Sequence, residues 1–259
     1  MRENRRASSV LTPTLQKTKD GAPFVWVAGD RSKAGPPAIV SIKPKLALRT
    51  WATRQRELEQ AFRRCGVPDG MLMDHGTPWW SMSSAWGSTH LSLWLMRQGI
   101  QLYWSGFRHP QTQGKVERFH GSLQRAWERR GPASPDTQAW LDAYRWEHNH
   151  VRPHEALGMQ TPATRWRPSP RRYDPNPPRW EYPEGAWVLK VDCQGKLDLQ
   201  GRKWKVSKSL AGEWVQLVRV EQRTLVFYCA TLIRELDPGI QRSKIIERWI
   251  PRLNSSPQV

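Results

Sequence analysis

The pattern of the sequence changes at several points along the chain, and these changes constrain the fold more than any other feature. Residues 1–52 show no sustained periodicity and carry Pro at five positions, so we expect a poorly ordered or non-native segment. Residues 53–164 mix helical spacing with short apolar runs, which predicts an α/β core. Residues 165–183 are rich in Pro and Arg and predict a linker or an extended arm. Residues 184–240 predict a small all-β domain, and residues 241–259 a C-terminal tail.

Helices and short strands alternate in the predicted core. The first expected helix has Leu58, Ala61, Phe62 and Cys65 inward and ends at Gly66, and a strand over 71–73 follows it. The second helix has Leu91, Trp94 and Leu95 inward and ends at Gly99, and a strand over 100–104 follows it. Two further helices are expected over 114–130 and over 137–148, the latter with Trp140, Leu141 and Tyr144 inward. The buried stripe of the helix predicted over 114–130 is Val116, Phe119 or His120, Leu123 and Trp127. A histidine on such a stripe is more often a core residue than a ligand.

Short alternating segments follow the Pro/Arg-rich stretch. The candidate strands are Trp187–Val191, Lys196–Leu199, Arg202–Val206, Trp214–Val220, Thr224–Tyr228 and Leu232–Leu236, with glycines between several of them. Several short strands within such a length indicate a small closed barrel of the SH3-like kind, because closure removes exposed edges.

The charge balance of the chain points to a polyanionic partner. Lys and Arg number 41 against 23 Asp and Glu, which leaves a formal charge of +18. Such an excess supplies salt-dependent affinity for phosphate backbones whatever their sequence. Ribosomal and architectural proteins share this composition, so the charge alone leaves several kinds of nucleic-acid-binding protein open.

Other compositional features exclude several classes of protein. The mean hydropathy is −0.72, and no apolar run approaches the roughly 18 residues that a membrane span needs. The three cysteines are scattered, which argues against a disulfide framework or a Cys-based zinc site. The first residues lead into no apolar segment typical of a secretory signal. We therefore expect a soluble protein of a reducing compartment with no membrane partner.

Two carboxylates stand alone in a long acid-free stretch. Asp74 follows the strand predicted over 71–73, and Glu117 lies early in the helix predicted over 114–130, with no other acidic residue between them. A carboxylate at a strand end and another early on a helix can meet over a sheet edge and ligate Mg²⁺ or Mn²⁺. On spacing alone, two unrelated solvent-facing groups are the commoner case.

Three motifs around these carboxylates carry a family resemblance. Residues 67–79 (VPDGMLMDHGTPW) resemble the second-aspartate strand of integrase-type transposases, and residues 109–120 (HPQTQGKVERFH) resemble their glutamate helix. Residues 149–158 (NHVRPHEALG) with 161–163 (TPA) are similar to the segment that closes their catalytic core. On these motifs the chain is identified, over about residues 56–240, as a member of the DDE integrase/transposase superfamily of bacterial insertion sequences.

The resemblance implies a fold, a reaction and a set of site residues. The fold is an α/β RNase H-like core, a mixed sheet that we expect to be incomplete here, followed by the small β-barrel. The reaction is cleavage at transposon ends followed by strand transfer into target DNA, with two Asp and one Glu holding two Mg²⁺ or Mn²⁺ ions. Asp74 would be the second aspartate and Glu117 the glutamate, both catalytic and metal-binding. The expected DNA contacts are Gln111, Gln113, Lys115, Arg118 and Arg125, and relatives act as homo-oligomers on DNA.

The first aspartate of the family does not have a clear counterpart. Upstream of the motif that begins at Val67, the only aspartates in the sequence are Asp20 and Asp30, and neither lies in an apolar strand followed by a Gly-containing hairpin. A helix-turn-helix region is not recognisable either. We therefore hypothesise that residues 1 to about 50 are encoded out of frame or from a displaced start, and that catalysis is impaired. The alternative function is a DNA-binding remnant without catalysis.

Overall fold

The computed structural model describes most of the chain from residue 51 onward and three strands before it. The described residues are 10–14, 24–29, 38–43, 51–73, 87–104, 114–131, 137–239 and 242–245. The chain forms two compact units. The first unit comprises residues 1–73, 105–173 and 250–259, and the second comprises residues 74–104 and 174–249.

The first unit contains four strands of a mixed sheet. They are β1 (Val10–Thr14), β2 (Phe24–Gly29), β3 (Ala38–Lys43) and β4 (Gly70–Met73), in the order β3-β2-β1-β4. The first three strands form an antiparallel meander, and β4 runs parallel to β1. Together with the helices of this unit, the sheet confirms the predicted α/β core.

The N-terminal segment contributes regular structure that the sequence analysis did not predict. We expected residues 1–52 to be poorly ordered or non-native; the strands β1 to β3 show regular structure over the residues they span, and a non-native origin of the segment stays a prediction. The prediction failed because β1 contains Pro13, which lacks a backbone donor and argues against a strand inside a sheet. The ladder between β1 and β4 joins Val10 to Gly70 and Leu11 to Met71, so Pro13 lies beyond it.

The first helix of this unit behaves as its spacing predicts. Helix α1 spans Trp51–Cys65, and its stripe of Leu58, Ala61 and Phe62 is buried. The helix ends at Gly66, whose φ is +75°, a left-handed conformation that glycine adopts without steric cost. The amide of Gly66 donates to the carbonyl oxygen of Phe62 at 2.8 Å and closes the last turn.

Two further helices form a second apolar cluster. Helix α3 spans Gly114–Arg130 and helix α4 spans Thr137–Trp146. Their cluster consists of Phe119, Leu123, Leu141 and Tyr144, with Ala126 and Trp140 partly buried against it. The prediction of Phe119 or His120 on the stripe understated the packing, because both are buried. Trp127 was predicted to be inward but is 37% exposed, its ring edge-on to Trp140 at 4.9 Å between centroids.

The second unit contains a small β domain. A five-stranded antiparallel sheet has the order β12-β11-β10-β9-β6, and β7 and β8 form a separate two-stranded ribbon. The strands are β6 (Trp187–Lys190), β7 (Lys196–Leu199), β8 (Arg202–Lys205), β9 (Trp214–Val220), β10 (Arg223–Tyr228), β11 (Thr231–Asp237) and β12 (Arg242–Ile245). All six predicted strands are present, and the additional strand β12 lies in the segment that we expected to be a tail.

A helix that the sequence placed in the core packs within the second unit. Helix α2 spans His90–Arg97 and is followed by β5 (Gln101–Trp104). At its C-terminal end, Arg97 donates from Nε to the hydroxyl of Tyr228 at 2.8 Å and pairs with Glu213. Just before α2, the hydroxyl of Ser88 lies 2.7 Å from that of Ser207. The predicted division of the chain at residue 164 therefore differs from the two units.

The Pro/Arg-rich segment, residues 165–183, is anchored by hydrogen bonds inside each unit. In the first unit, the Ser169 amide donates to the Cys65 carbonyl oxygen, and the Val67 amide donates to that of Arg171 at 2.7 Å. In the second unit, the Tyr182 hydroxyl donates to the Trp214 carbonyl oxygen at 2.9 Å. The segment has the extended form that the sequence predicted, but it is not a free tether.

Candidate functional site

The two predicted catalytic carboxylates belong to the ends of two elements of the fold. Asp74 lies outside the described residues; in the chain it directly follows Met73, the last residue of β4. Glu117 occupies the first turn of α3, and its side chain is not among those described. The structure therefore confirms the elements on which the two motifs were predicted to lie, but the relative position of the two carboxylates stays a prediction.

The first strand contains no carboxylate. Its residues are Val10, Leu11, Thr12, Pro13 and Thr14. Because β1 and β4 are parallel, their C-terminal ends lie at the same edge of the sheet. A first aspartate on β1 would be expected near that edge, beside the strand that leads into Asp74. The strand has threonine at positions 12 and 14 and no acidic residue.

The two N-terminal aspartates, Asp20 and Asp30, lie outside the described residues, but the strands before and after them are described. Asp20 belongs to the connection between Thr14 and Phe24, which leaves and re-enters the sheet at the C-terminal edge of β1. Asp30 follows Gly29, which pairs with Val10 at the opposite end of β1. At about 3.3 Å per residue, the two ends of β1 are about 13 Å apart. The connection that contains Asp20 therefore begins at the C-terminal end of β1. This end lies at the same edge of the sheet as the C-terminal end of β4, which Asp74 follows in the chain.

The predicted DNA-contacting residues are only partly described. Gln111 and Gln113 lie outside the described residues, and Lys115 is placed in the first turn of α3 without a described side chain. Arg118 and Arg125 are exposed on α3, where Arg125 donates from Nη2 to the hydroxyl of Ser122 at 3.3 Å. The arginines at the end of the same helix, Arg129 and Arg130, are also exposed. The described part of α3 thus presents a basic surface to solvent, as the sequence predicted.

His120 lies one turn after Glu117 and is a core residue. Only 5% of it is exposed, and its Nε2 atom has no hydrogen-bond partner among the described residues. Burial lowers the pKa of His120 to about 4, because the charged imidazolium is poorly solvated there. The histidine is therefore neutral at ordinary pH, which confirms the packing role that its position on the stripe predicted.

The lowered pKa of His120 predicts a stability that falls in mild acid. The unfolded chain takes up a proton at this residue below about pH 6.5, whereas the folded chain does so only near pH 4. The free energy of unfolding should therefore decrease by about 3 kcal/mol between pH 6.5 and pH 4. Urea unfolding across this range should show a shallower dependence for His120→Leu than for the wild type. The exposed control His90→Leu should leave the dependence unchanged; equal slopes for His120→Leu and wild type would contradict the assignment.

The segment that follows α4 folds into a compact series of turns. A π-helical turn at Glu147–Val151 is followed by a 3-10 turn at Glu155–Leu157 and by the short helix α5 (Pro162–Arg165). The His154 amide donates to the Gln160 carbonyl oxygen at 3.1 Å, which closes the segment on itself. The imidazole of the buried His148 lies edge-on to Phe119, with 4.9 Å between ring centroids. This motif therefore covers the α3–α4 cluster rather than supplying a described ligand.

The metal site that the resemblance implies falls mostly on residues outside the described ranges. In the part of the chain that the structure describes, no group of three or more His, Cys, Asp or Glu side chains is arranged to hold a metal ion. Asp74 and Glu117 supply two of the three expected carboxylates, and β1 supplies none. Hard divalent ions need several oxygen ligands each, so Asp74 and Glu117 alone would not supply enough ligands for a pair of ions.

A comparison with protein families identifies the core. Residues 98–162 match the model of the Integrase core domain family. The matched segment includes β5, α3, α4 and the series of turns after them, and Glu117 lies inside it. This part of the chain is therefore similar to an integrase core domain, and the chain as described combines an α/β core with a small β domain. An integrase core domain indicates a function of the DNA integration or transposition type.

Solved structures of retroviral integrases resemble the chain more loosely. The simian T-cell lymphotropic virus intasome in complex with PP2A regulatory subunit B56 gamma matches at 18% identity and a TM-score of 0.43, over 85% of this chain and 75% of that one. The HTLV-2 integrase catalytic core domain in complex with magnesium matches at 16% identity and a TM-score of 0.44, over 60% and 94%. The catalytic core domain of BIV integrase matches at 18% identity and a TM-score of 0.41, over 60% and 91%. Because these TM-scores are all below 0.5, the similarity to the retroviral structures carries no further argument, and the similarity to integrase cores rests on the family match over residues 98–162.

None of the helices in the described ranges combines the length and the apolar character that crossing a membrane requires.

The pairing within the two-stranded ribbon of the β domain was not predicted from the sequence. The strands β7 and β8 were predicted, but the residues that face each other across them were not. The signal was available, because the two residues between the strands, Gln200 and Gly201, fix a tight hairpin and hence the pairing. That pairing places Lys196 opposite Lys205.

Proposed function

We propose that the chain is a transposase of the insertion-sequence type that binds DNA and whose catalysis is impaired. The observation that carries the proposal is the Integrase core domain match over residues 98–162, with Glu117 in the first turn of α3 inside it. The exposed arginines of α3 support DNA as the partner, because guanidinium groups on one helix face suit phosphate contacts.

The impairment rests on the missing carboxylate. A complete site of this class would use Mg²⁺ or Mn²⁺ ions to activate the attacking oxygen and to stabilise the leaving oxygen. In this chain Asp74 and Glu117 would be its ligands, and the threonines of β1 stand where the third carboxylate is expected. Because an incomplete ligand set loses metal affinity and geometry, we expect little cleavage or strand transfer.

A DNA-binding remnant without any catalysis is the second candidate function, and the same missing carboxylate favours it. Both candidates act on DNA, at transposon ends or target sites, without a membrane and in the bacterial cytosol or nucleoid. Both are expected to form homo-oligomers on DNA. They differ in whether any metal-dependent cleavage depends on Glu117.

Salt-dependent DNA binding tests the function that the two candidates share. The full chain should bind a duplex of arbitrary sequence, and the logarithm of the binding constant should fall linearly and steeply with the logarithm of the salt concentration. Fluorescence anisotropy at several salt concentrations measures this slope. A flat salt dependence would rule out backbone contacts, and the absence of binding at low salt would overturn the proposed function.

A further inference from the structure

The five-stranded sheet of the β domain has two unlike faces. On one face the side chains are buried, among them Val215, Leu217, Val226 and Leu236. The side chains that alternate with them along β9 and β10, and those beside them on β6, form the opposite face, which we call the outer face. Its apolar residues are Val188, Trp214, Val218, Val220, Leu225 and Phe227.

The register of the strands makes these apolar residues neighbours. Val218 pairs with Leu225 across β9 and β10, and Gln216 pairs with Phe227 on one side and with Val188 on the other. Directly opposed residues have Cβ atoms about 5 Å apart, so their side chains are within reach of one another. The outer face is therefore one apolar patch across three strands, with Gln216 as a polar residue inside it.

The apolar residues of the outer face are accessible to a partner. Trp214 is 42% exposed, Val218 36% and Val220 47%, and the other three are partly exposed. An antiparallel sheet with one face in water normally carries polar side chains on that face. A contiguous exposed apolar patch is instead typical of a surface that contacts another molecule.

The elements that pack on this sheet within the second unit attach to its buried face. The guanidinium group of Arg234, a residue of the buried face, donates from Nε to the carbonyl oxygen of Val206 at 3.0 Å, next to the ribbon of β7 and β8. The hydroxyl of Tyr228, on the same face, accepts a hydrogen bond from Arg97 at the end of α2 at 2.8 Å. Because the ribbon and α2 both attach to the buried face, neither of them covers the outer face.

The charged groups of the outer face differ between its two ends. At one end Lys190 is exposed, opposite Trp214. At the other end the guanidinium group of Arg223 lies 2.8 Å from a carboxylate oxygen of Glu235 and 3.7 Å from one of Asp237. Two carboxylates around one guanidinium group leave this end with a net negative charge. The face is therefore complementary in charge to a second copy of itself turned end for end.

The size of the outer face suits a reversible dimer. At about 3.3 Å per residue the stretch from Trp214 to Val220 is about 20 Å long, and five strands about 4.8 Å apart span about 19 Å. Each copy would therefore contribute about 400 Å², which is about half of what one partner buries in an interface of standard size. A contact of this size associates and dissociates freely.

We propose that the outer face is an interface between two copies of this chain. The two sheets pack face to face with their strands antiparallel, which places Lys190 of one copy beside the Glu235 and Asp237 end of the other. Because both copies use the same surface, the contact closes at two. The proposal deepens the proposed function, on which it rests only for the expectation that the chain forms homo-oligomers, and it depends neither on DNA nor on the carboxylates of the core.

Sedimentation equilibrium of the full chain without DNA, between about 1 and 200 µM, tests the interface. The wild type should show a reversible monomer–dimer equilibrium in this range. Val218→Lys brings one ammonium group from each copy into an apolar contact and should weaken dimerisation about tenfold or more. The control Val151→Lys makes the same change at a residue of the first unit that is 52% exposed, and it should leave the equilibrium unchanged.

A second variant separates dimerisation from folding. Val218→Thr keeps the branched shape that a strand favours and adds only a hydroxyl group, so it should preserve the Tm measured at low protein concentration and still weaken dimerisation about fivefold. Weaker dimerisation with an unchanged Tm supports the proposal. If Val218→Lys itself lowers the Tm, Val218→Thr decides the question.

Charge reversal tests the antiparallel arrangement. Lys190→Glu places a carboxylate beside Glu235 and Asp237 of the other copy and should weaken dimerisation about threefold at low salt, with a smaller effect at high salt. Unchanged or stronger dimerisation at low salt would overturn this arrangement of the two sheets.

The remaining outcomes distinguish the interface from the proposed function. A wild type that stays monomeric over the whole range overturns the interface and leaves the outer face to a partner of another kind. A dimer that neither Val218 variant weakens also overturns it, because the copies then meet elsewhere. DNA binding is measured separately by fluorescence anisotropy. A monomeric chain that binds DNA loses the interface and keeps the proposed function, whereas a chain that dimerises through Val218 and binds no DNA keeps the interface and loses the function.

Discussion

Replacing Gly66 with alanine should lower the free energy of unfolding by about 3 kcal/mol or more. Gly66 has a φ of +75°, where an L side chain is strained. An added Cβ would also lie 2.9 Å from the carbonyl oxygen of Arg171 and closer still to that of Ser169. Both obstacles are backbone atoms, so the Pro/Arg-rich segment itself would have to move. Urea unfolding of Gly66→Ala and wild type measures the loss.

The chain provides a matched control for this substitution. Gly158 has a similar φ of +62°, but no heavy atom lies within 4 Å of a Cβ built there. Gly158→Ala should therefore show only the conformational cost of a left-handed residue, about 1 kcal/mol. The difference between the two variants isolates the contact between the end of α1 and residues 169–171. Equal losses for the two variants would mean that this contact contributes nothing.

A carboxylate introduced at the C-terminal end of β1 should increase metal-dependent DNA cleavage. Thr12→Asp and Thr14→Asp each place an acid at the end of the strand that runs parallel to β4. If the missing ligand limits catalysis, one of these variants should nick supercoiled plasmid DNA with Mn²⁺ at least tenfold faster than the wild type. Positions 12 and 14 lie on the same face of the strand, two residues apart. Testing both variants therefore covers two positions along that face at which the new carboxylate could meet Asp74 and Glu117.

Two comparisons make this gain of activity interpretable. Adding Glu117→Gln to the faster variant should remove the gain, because the new carboxylate would act together with the glutamate of α3. Thr12→Asn or Thr14→Asn introduces a side chain of the same size as aspartate but without its charge, and this variant should give no gain in cleavage. A gain that survives Glu117→Gln would show that the new acid does not act through the predicted site.

The helices and the β domain could be predicted because their local patterns agree with their packing. The spacing of Leu58, Ala61 and Phe62 indicated α1, and the glycine after Cys65 indicated its end. In the β domain, alternating residues and turn glycines indicated six strands to within one or two residues. For these elements, burial of one face is decided within a few neighbouring residues, so local patterns are sufficient.

The strands of the N-terminal segment could not be predicted because long-range pairing determines them. β1 contains a proline and only five residues, and it is defined by β2 on one side and β4 on the other. β4 was predicted as a strand, but local periodicity does not show that β4 and β2 pair with β1. Likewise, the association of α2 with the β domain depends on contacts of Arg97 with Glu213 and Tyr228, which lie more than a hundred residues further along the chain.

The candidate site was predicted through resemblance more than through chemistry. Spacing alone left Asp74 and Glu117 as two acids in a long acid-free stretch, and the surrounding motifs assigned them roles. The fold adds that β1 carries threonines at the edge where β4 ends. It also shows that His120, one turn from Glu117, is buried.

Strand transfer in Mn²⁺ with wild type and Glu117→Gln tests most directly whether this DNA-binding, integrase-like chain has an incomplete catalytic site. DNA binding is measured on the same samples, so that inactivity is not mistaken for failure to bind. We predict that both proteins bind DNA and that both show the same background level of strand transfer. Robust strand transfer by the wild type that is abolished in Glu117→Gln would contradict an incomplete site.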